Sequence, residues 1–264
     1  MGRQLDRNKP RVVILSHLEM VIVLQAKALL FYAVRMILRD PKAALRTTAL
    51  PYVLAQVLPA LLYGAAAEAS PVTTEWSLRL AGELAFLASM AWMAVAWHRL
   101  ILIHETGWPL PTAPMGRVAA YLAYVAAFEV TVMLVSFIVI GGMAATVLFG
   151  AAELAMQVPV YLGIFAASVL FGRLGAILPA VALGPVTSIL DGWRATRGAT
   201  LTIALTCLVL FLLEEAVFRG GMALQIDSRL SEVLQAVLQW PVFLLGIALL
   251  TSTYLHYVKG QPLE

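Results

Sequence analysis

Charge is scarce in this 264-residue chain: Asp, Glu, Lys and Arg make up 12% of it, about half the share usual in soluble domains. Cysteine is scarcer still. Cys207 stands alone, which excludes an intramolecular disulfide and any CxxC metal or redox site. Four histidines are present, and the only close pair, His98 and His104, is spaced by six residues, which neither stacks on one helix face nor matches a zinc motif. A Walker-type phosphate loop and a GxSxG elbow are both missing. These absences lead us to expect no metal and no cofactor, and they put a non-enzymatic role ahead of an enzymatic one, which stays open.

The chain is instead rich in long apolar runs: 61% of residues are hydrophobic and the mean hydropathy is +0.88. Runs of about 20 residues suffice to cross a bilayer, and six are read here, at Thr47 to Ala66, Leu80 to Leu102, Val118 to Ile140, Leu154 to Leu183, Thr200 to Leu213 with its flanks, and Val233 to Tyr257. With the N-terminus in the cytoplasm, Arg3, Arg7, Lys9, Arg11, Lys27, Arg35, Arg39, Lys42, Arg46, Arg99, Arg117, Arg173, Arg194, Arg197 and Lys259 share one side. Only Arg79, Arg219 and Arg229 of the 18 basic residues then lie outside. The predicted fold is therefore all-α, a single polytopic membrane domain with both termini cytoplasmic. The net charge of +3 is read as lipid-facing basicity, with no nucleic-acid partner expected.

Residues 1–46 are read as a cytoplasmic tail and interfacial helix, and residues 47–264 as the six-helix bundle. The apolar stretch after Arg11 is interrupted by His17, Glu19, Gln25 and Lys27, so no cleavable signal is expected. From Ser16 to Leu38, Glu19, Lys27 and Arg35 make a crossing costly, and a helix lying in the membrane plane is the cheaper solution. Asp40-Pro41 should end that helix. Lys27, Arg35, Arg39, Lys42, Arg46, Arg99, Arg194 and Arg197 are the residues expected to meet lipid headgroups. Trp97, Trp108 and Trp193 near one face and Trp76 and Trp240 near the other read as interface anchors. Glu68, Glu75, Glu153, Glu214, Glu215, Asp227 and Glu232 make the outer connections acidic. GGMAATVLFGA, after the third span, reads as a link skimming the surface. Two stretches, Trp97 to Tyr124 and Phe171 to Leu205, share a basic–loop–basic layout that is consistent with an internal repeat.

Glu129 stands at the midpoint of the third apolar run, where a carboxylate must face protein, water or a partner. It is the leading candidate for transport or switching. Its structural alternative is a hydrogen bond across helices to a group such as Gln56, Gln157 or Ser89. FLLEEAVFRGGM, from Phe211 to Met222, resembles the first motif of the intramembrane proteases that process CAAX proteins: Glu214, Glu215, Arg219 and Gly220 match. That resemblance implies water activated by a carboxylate with histidines on later helices, yet Ile247 occupies the place where the second motif needs His. The simpler reading is an i, i+4 pair of Glu215 with Arg219.

More broadly, the amphipathic N-terminal segment, Trp97-His98-Arg99 before a loop, and LDGWRATRGAT from Leu190 to Thr200 resemble a group of bacterial multi-helix inner-membrane proteins. That group is related to the membrane domain fused to some glycerophosphodiester phosphodiesterases. The resemblance implies a membrane module in a bacterial inner membrane and carries no catalytic residues. Three functions follow as expectations: a non-enzymatic module that binds lipid or organises a membrane-protein partner or a homo-oligomer; a small-solute or ion transporter using Glu129; and a protease using Glu214 or Glu215. The first expects a tightly packed bundle without a mid-plane cavity, and the second expects Glu129 on one.

Overall fold

The structure, a computed structural model, describes residues 9–105, 114–148, 153–184, 188–223 and 228–263. Trp108, Asp227, Arg3 and Arg7 lie outside these, as do the side chains of Lys9, Arg11, Gln157 and Arg229. Every regular element among the described residues is helical: α1 Lys9–Arg39, α2 Pro41–Ala67, α3 Val72–Ile103, α4 Met115–Leu148, α5 Glu153–Leu174, α6 Leu178–Leu183, α7 Ile189–Ala195, α8 Thr200–Ala223 and α9 Ser228–Thr253. Among the described residues six stretches are long and apolar enough to cross a membrane: residues 19–39, 41–67, 72–103, 161–183, 200–221 and 230–258, a set that includes residues 19–39, expected from the sequence to lie in the membrane plane. The chain is a multi-pass membrane protein.

The boundary at Asp40-Pro41 falls where the sequence places it. The Asp40 carboxylate accepts from the Ala43 backbone N–H at 2.9 Å, and Pro41 occupies the first turn, where its missing N–H costs nothing. This cap starts α2 six residues before the apolar run that marks it in the sequence. The fourth predicted span is broken. After α5, Gly175–Ile177 form a 3₁₀ turn before α6, because Pro179 cannot donate to the preceding turn. The predicted surface link after the third span is also corrected: α4 runs through Gly141 and Gly142 to Leu148, since membrane helices tolerate glycine.

One end of the bundle carries most of the arginine chemistry and is called here the basic end. Arg99, near the end of α3, donates from Nη1 to the Ala182 carbonyl of α6 at 3.1 Å and pairs through Nε with Glu105 at 2.9 Å. Arg117 donates to the Gly184 carbonyl at 2.8 Å. Arg173, 7% exposed, reaches Thr196 Oγ1 and the Trp193 carbonyl, and its guanidinium lies 3.5 Å from the Trp193 ring centroid. These charge-assisted bonds satisfy carbonyls that the helix ends leave open.

Helix α1 has the length of a span, yet its contacts gather at the basic end. Thr202, the third residue of α8, donates to Gln25 Oε1 at 3.3 Å, and Tyr32 packs against the cluster of Ala180 with Tyr254 and Leu255, the last two just past the end of α9. On α1 Leu29 and Ala33 are fully buried against the bundle, and Lys27, Arg35 and Arg39 are exposed. On the first turns of α2, Lys42 and Arg46 are exposed as well.

The core centres on α3, where every residue from Met93 to His98 is buried, as expected of a helix packed on all sides. Trp97 lies in this core at 0% exposure, so its predicted role as an interface anchor is corrected. Trp240 is also turned inward and donates to Thr48 Oγ1 at 3.1 Å. Trp76, 67% exposed, keeps the position of an anchor. At the end opposite the basic one, the two basic residues with described side chains are each paired one helical turn away: Arg79 with Glu75 at 2.9 Å and Arg219 with Glu215 at 2.8 Å.

Candidate functional site: an interhelical cavity

A cavity of about 470 Å³ opens between α3, α4, α5, α8 and α9, within the range of small-molecule sites. Helical periodicity builds its walls. Tyr121, Val125 and Glu129 follow one another at i, i+4 and i+8 along α4, and Ile203, Thr206, Leu210 and Glu214 make the matching face of α8. Small residues leave the space: Ala91 and Ala94 on α3, Ala167 and Gly172 on α5, and Gly246 on α9.

Glu129 and Glu214, which the sequence singles out for unrelated reasons, both stand on this wall and are its only charged residues among those described. Each lies fourteen residues into its helix. Both helices start at the basic end, so at 1.5 Å per residue the carboxylates share a level about 21 Å in. Among the described residues neither has a hydrogen-bond or ion-pair partner, and the expected bond from Glu129 to Gln56 or Ser89 is not formed. Of the other polar side chains on the wall, those of Thr206, Ser168 and Cys207 are bonded to backbone carbonyls, whereas the Thr253 hydroxyl has no partner among the described residues. Thr206 Oγ1 donates to the Ile203 carbonyl at 2.8 Å, Ser168 Oγ to the Ile164 carbonyl at 2.9 Å, and the Cys207 thiol to the Ser168 carbonyl at 3.5 Å.

Tyr121 ties the cavity wall to a chain of buried hydrogen bonds that sequence reasoning missed. The Thr251 hydroxyl donates to the Ile247 carbonyl at 3.1 Å, so its oxygen accepts from His98 Nδ1 at 2.9 Å. His98 Nε2 is then the acceptor for the Tyr121 hydroxyl at 3.2 Å. This order assigns the Nδ1–H tautomer and links α4, α3 and α9 with every proton used. The signal for it in the sequence is a histidine inside the apolar run Leu80 to Leu102. In the fold His98 is fully buried while His104 is exposed at the helix end, and among the described residues no group of His, Cys, Asp and Glu is arranged to hold a metal.

The other predicted site residues fall into two places. Glu215 pairs with Arg219, whose Nη2 also donates to the Tyr161 hydroxyl at 3.4 Å, as the i, i+4 reading expects. Among the described residues no histidine lies on the cavity wall beside Glu214. Arg99 is turned into the basic end, whereas Arg194, 3.7 Å from Asp191, and Arg197 are exposed around α7. No protein-family model matches this chain, and no curated protein or solved structure matches it either.

Proposed function

We propose that this chain is a non-enzymatic membrane module of a bacterial inner membrane that holds a lipid-like amphiphile in its interhelical cavity. The observation that carries this reading is the 470 Å³ cavity, walled mainly by Leu, Ile, Phe and Ala side chains and opened by glycine and alanine on three helices. The tightly packed, cavity-free bundle expected of the module is thereby corrected; a bundle that only organises partners needs no such space, so the lipid-binding arm of the module is the one retained. In this reading the basic end faces the cytoplasm. There Lys27, Arg35, Arg39, Lys42 and Arg46 on α1 and α2, with Arg194 and Arg197 around α7, meet anionic headgroups.

Native mass spectrometry of the protein released from membrane-derived nanodiscs tests the proposal. One retained amphiphile per chain is the expected result; a bare chain would count against it, and a stoichiometric second protein would restore the organising role.

A second reading, transport of a small solute or ion, is favoured by one observation: Glu129 lies on the cavity wall without a partner among the described residues. It requires flux across a sealed vesicle. Proteoliposomes that retain a loaded cation as well as protein-free vesicles do would leave binding as the sole function.

A further inference from the structure

We infer that the cavity selects a lipophilic cation, an amphiphile with an ammonium-like head seated between Glu129 and Glu214 and an apolar body lying toward the basic end. This deepens the proposed function and rests on it. The first support is charge complementarity: among the described residues Glu129 and Glu214 are the only charged ones on the wall, they are both acidic, and they lack a partner. An ionised carboxylate at this depth is costly until a positive charge faces it, and two on one cavity, carried by helices that both pack on α5, double the demand. A bound cation supplies that charge.

The second support is the shape of the space. The carboxylates occupy one end; from Glu129 back to Tyr121 the wall covers eight residues of α4, about 12 Å, and it continues to Ile203 on α8 and Thr253 on α9. Along this length the thiol and the hydroxyls of Thr206 and Ser168 are bonded to backbone carbonyls, which leaves the Thr253 hydroxyl as a single neutral donor for an anionic head among the described residues, against two carboxylates for a cation. Phe86, Phe171, Phe211 and Phe243 add ring surfaces that attract cations and apolar groups alike. A polar anion would meet two like charges, and a neutral lipid would leave both carboxylates uncompensated.

Equilibrium binding of tetraphenylphosphonium to the protein in zwitterionic nanodiscs tests the inference, with tetraphenylborate as the anion of matching shape. Saturable binding of the cation at one per chain is expected. It should be at least tenfold weaker in Glu129→Gln or Glu214→Gln, absent in the double variant, and not matched by the borate. Equal binding of the two ions, or undiminished cation binding in a folded double variant, would overturn the charge preference while leaving an amphiphile site in place. Neither ion binding, with an amphiphile still retained in native mass spectra, would also overturn it. Neither ion binding to a protein that retains nothing would overturn the proposed function as well. Gly246→Phe provides a second variant that leaves both carboxylates intact. A Cβ there meets only Leu210 Cδ1 at 3.9 Å, so the ring has room to enter the cavity and should abolish cation binding. Full cation binding to that variant would place the cation outside the cavity and contradict the inference.

Discussion

His98 contributes to the bundle through two bonds and complete burial, and its replacement removes all of these at once. His98→Ala leaves the Tyr121 hydroxyl and the Thr251 oxygen without their partner and opens a void where three helices meet. Unsatisfied buried groups cost roughly 1–3 kcal/mol each before any void is counted, so a loss of about 3 kcal/mol is expected, read by denaturant titration in mixed micelles. Tyr121→Phe keeps the packing and removes one bond, for which about 1 kcal/mol is expected. A His98→Ala protein as stable as wild type would mean that the three-helix hydrogen-bond chain contributes nothing. Individual residues were unevenly legible in the sequence. Glu129 stands out as a carboxylate in the middle of an apolar run, and Glu214 through the Glu-Glu motif of Phe211 to Met222. Their meeting in one cavity depends on the register of helices far apart in the chain, which periodicity along one helix cannot supply.

Helix ends decide how the elements are joined. Helix α3 stops at His104, which adopts φ 53°, a left-handed conformation that costs a non-glycine residue about 1–2 kcal/mol. Its backbone N–H still closes the helix by donating to the Arg99 carbonyl. His104→Gly should therefore stabilise the protein by about 1 kcal/mol, and His104→Val should destabilise it; the opposite order in thermal unfolding would contradict this cap. Beyond α5, the short helix α7 presses its Gly192 against the 3₁₀ turn, where a Cβ would lie 2.8 Å from Ile177 Cγ2 and 2.9 Å from the Leu174 carbonyl oxygen. Gly192→Ala should cost about 2 kcal/mol through overpacking, whereas Gly198→Ala, with nothing within 4 Å, should be near neutral. Equal unfolding temperatures for the two variants would mean that α7 is not held against the turn. Some boundaries could be read from sequence because their chemistry is local, as at Asp40-Pro41. The continuation of α4 past Gly141 could not, because inside a membrane glycine no longer marks a stop.

At the scale of the whole molecule, hydropathy and charge asymmetry were enough to recognise an all-α multi-pass bundle with basic residues gathered at one end. They were silent on its interior. The cavity arises because small residues on α3, α5 and α9 fall opposite one another, with Tyr121, Glu129 and Glu214 brought in from α4 and α8. Gly246 is the position where this space can be filled with the least disturbance. Its replacement also removes a helix-weakening glycine from α9, so Gly246→Phe should remain folded. The most direct measurement is the native mass spectrum of wild type beside Gly246→Phe, both released from nanodiscs of the same membrane. One amphiphile retained by the wild type and none by the folded variant is the expected result. A bare wild-type chain, or equal retention by both proteins, would contradict a ligand held in this cavity.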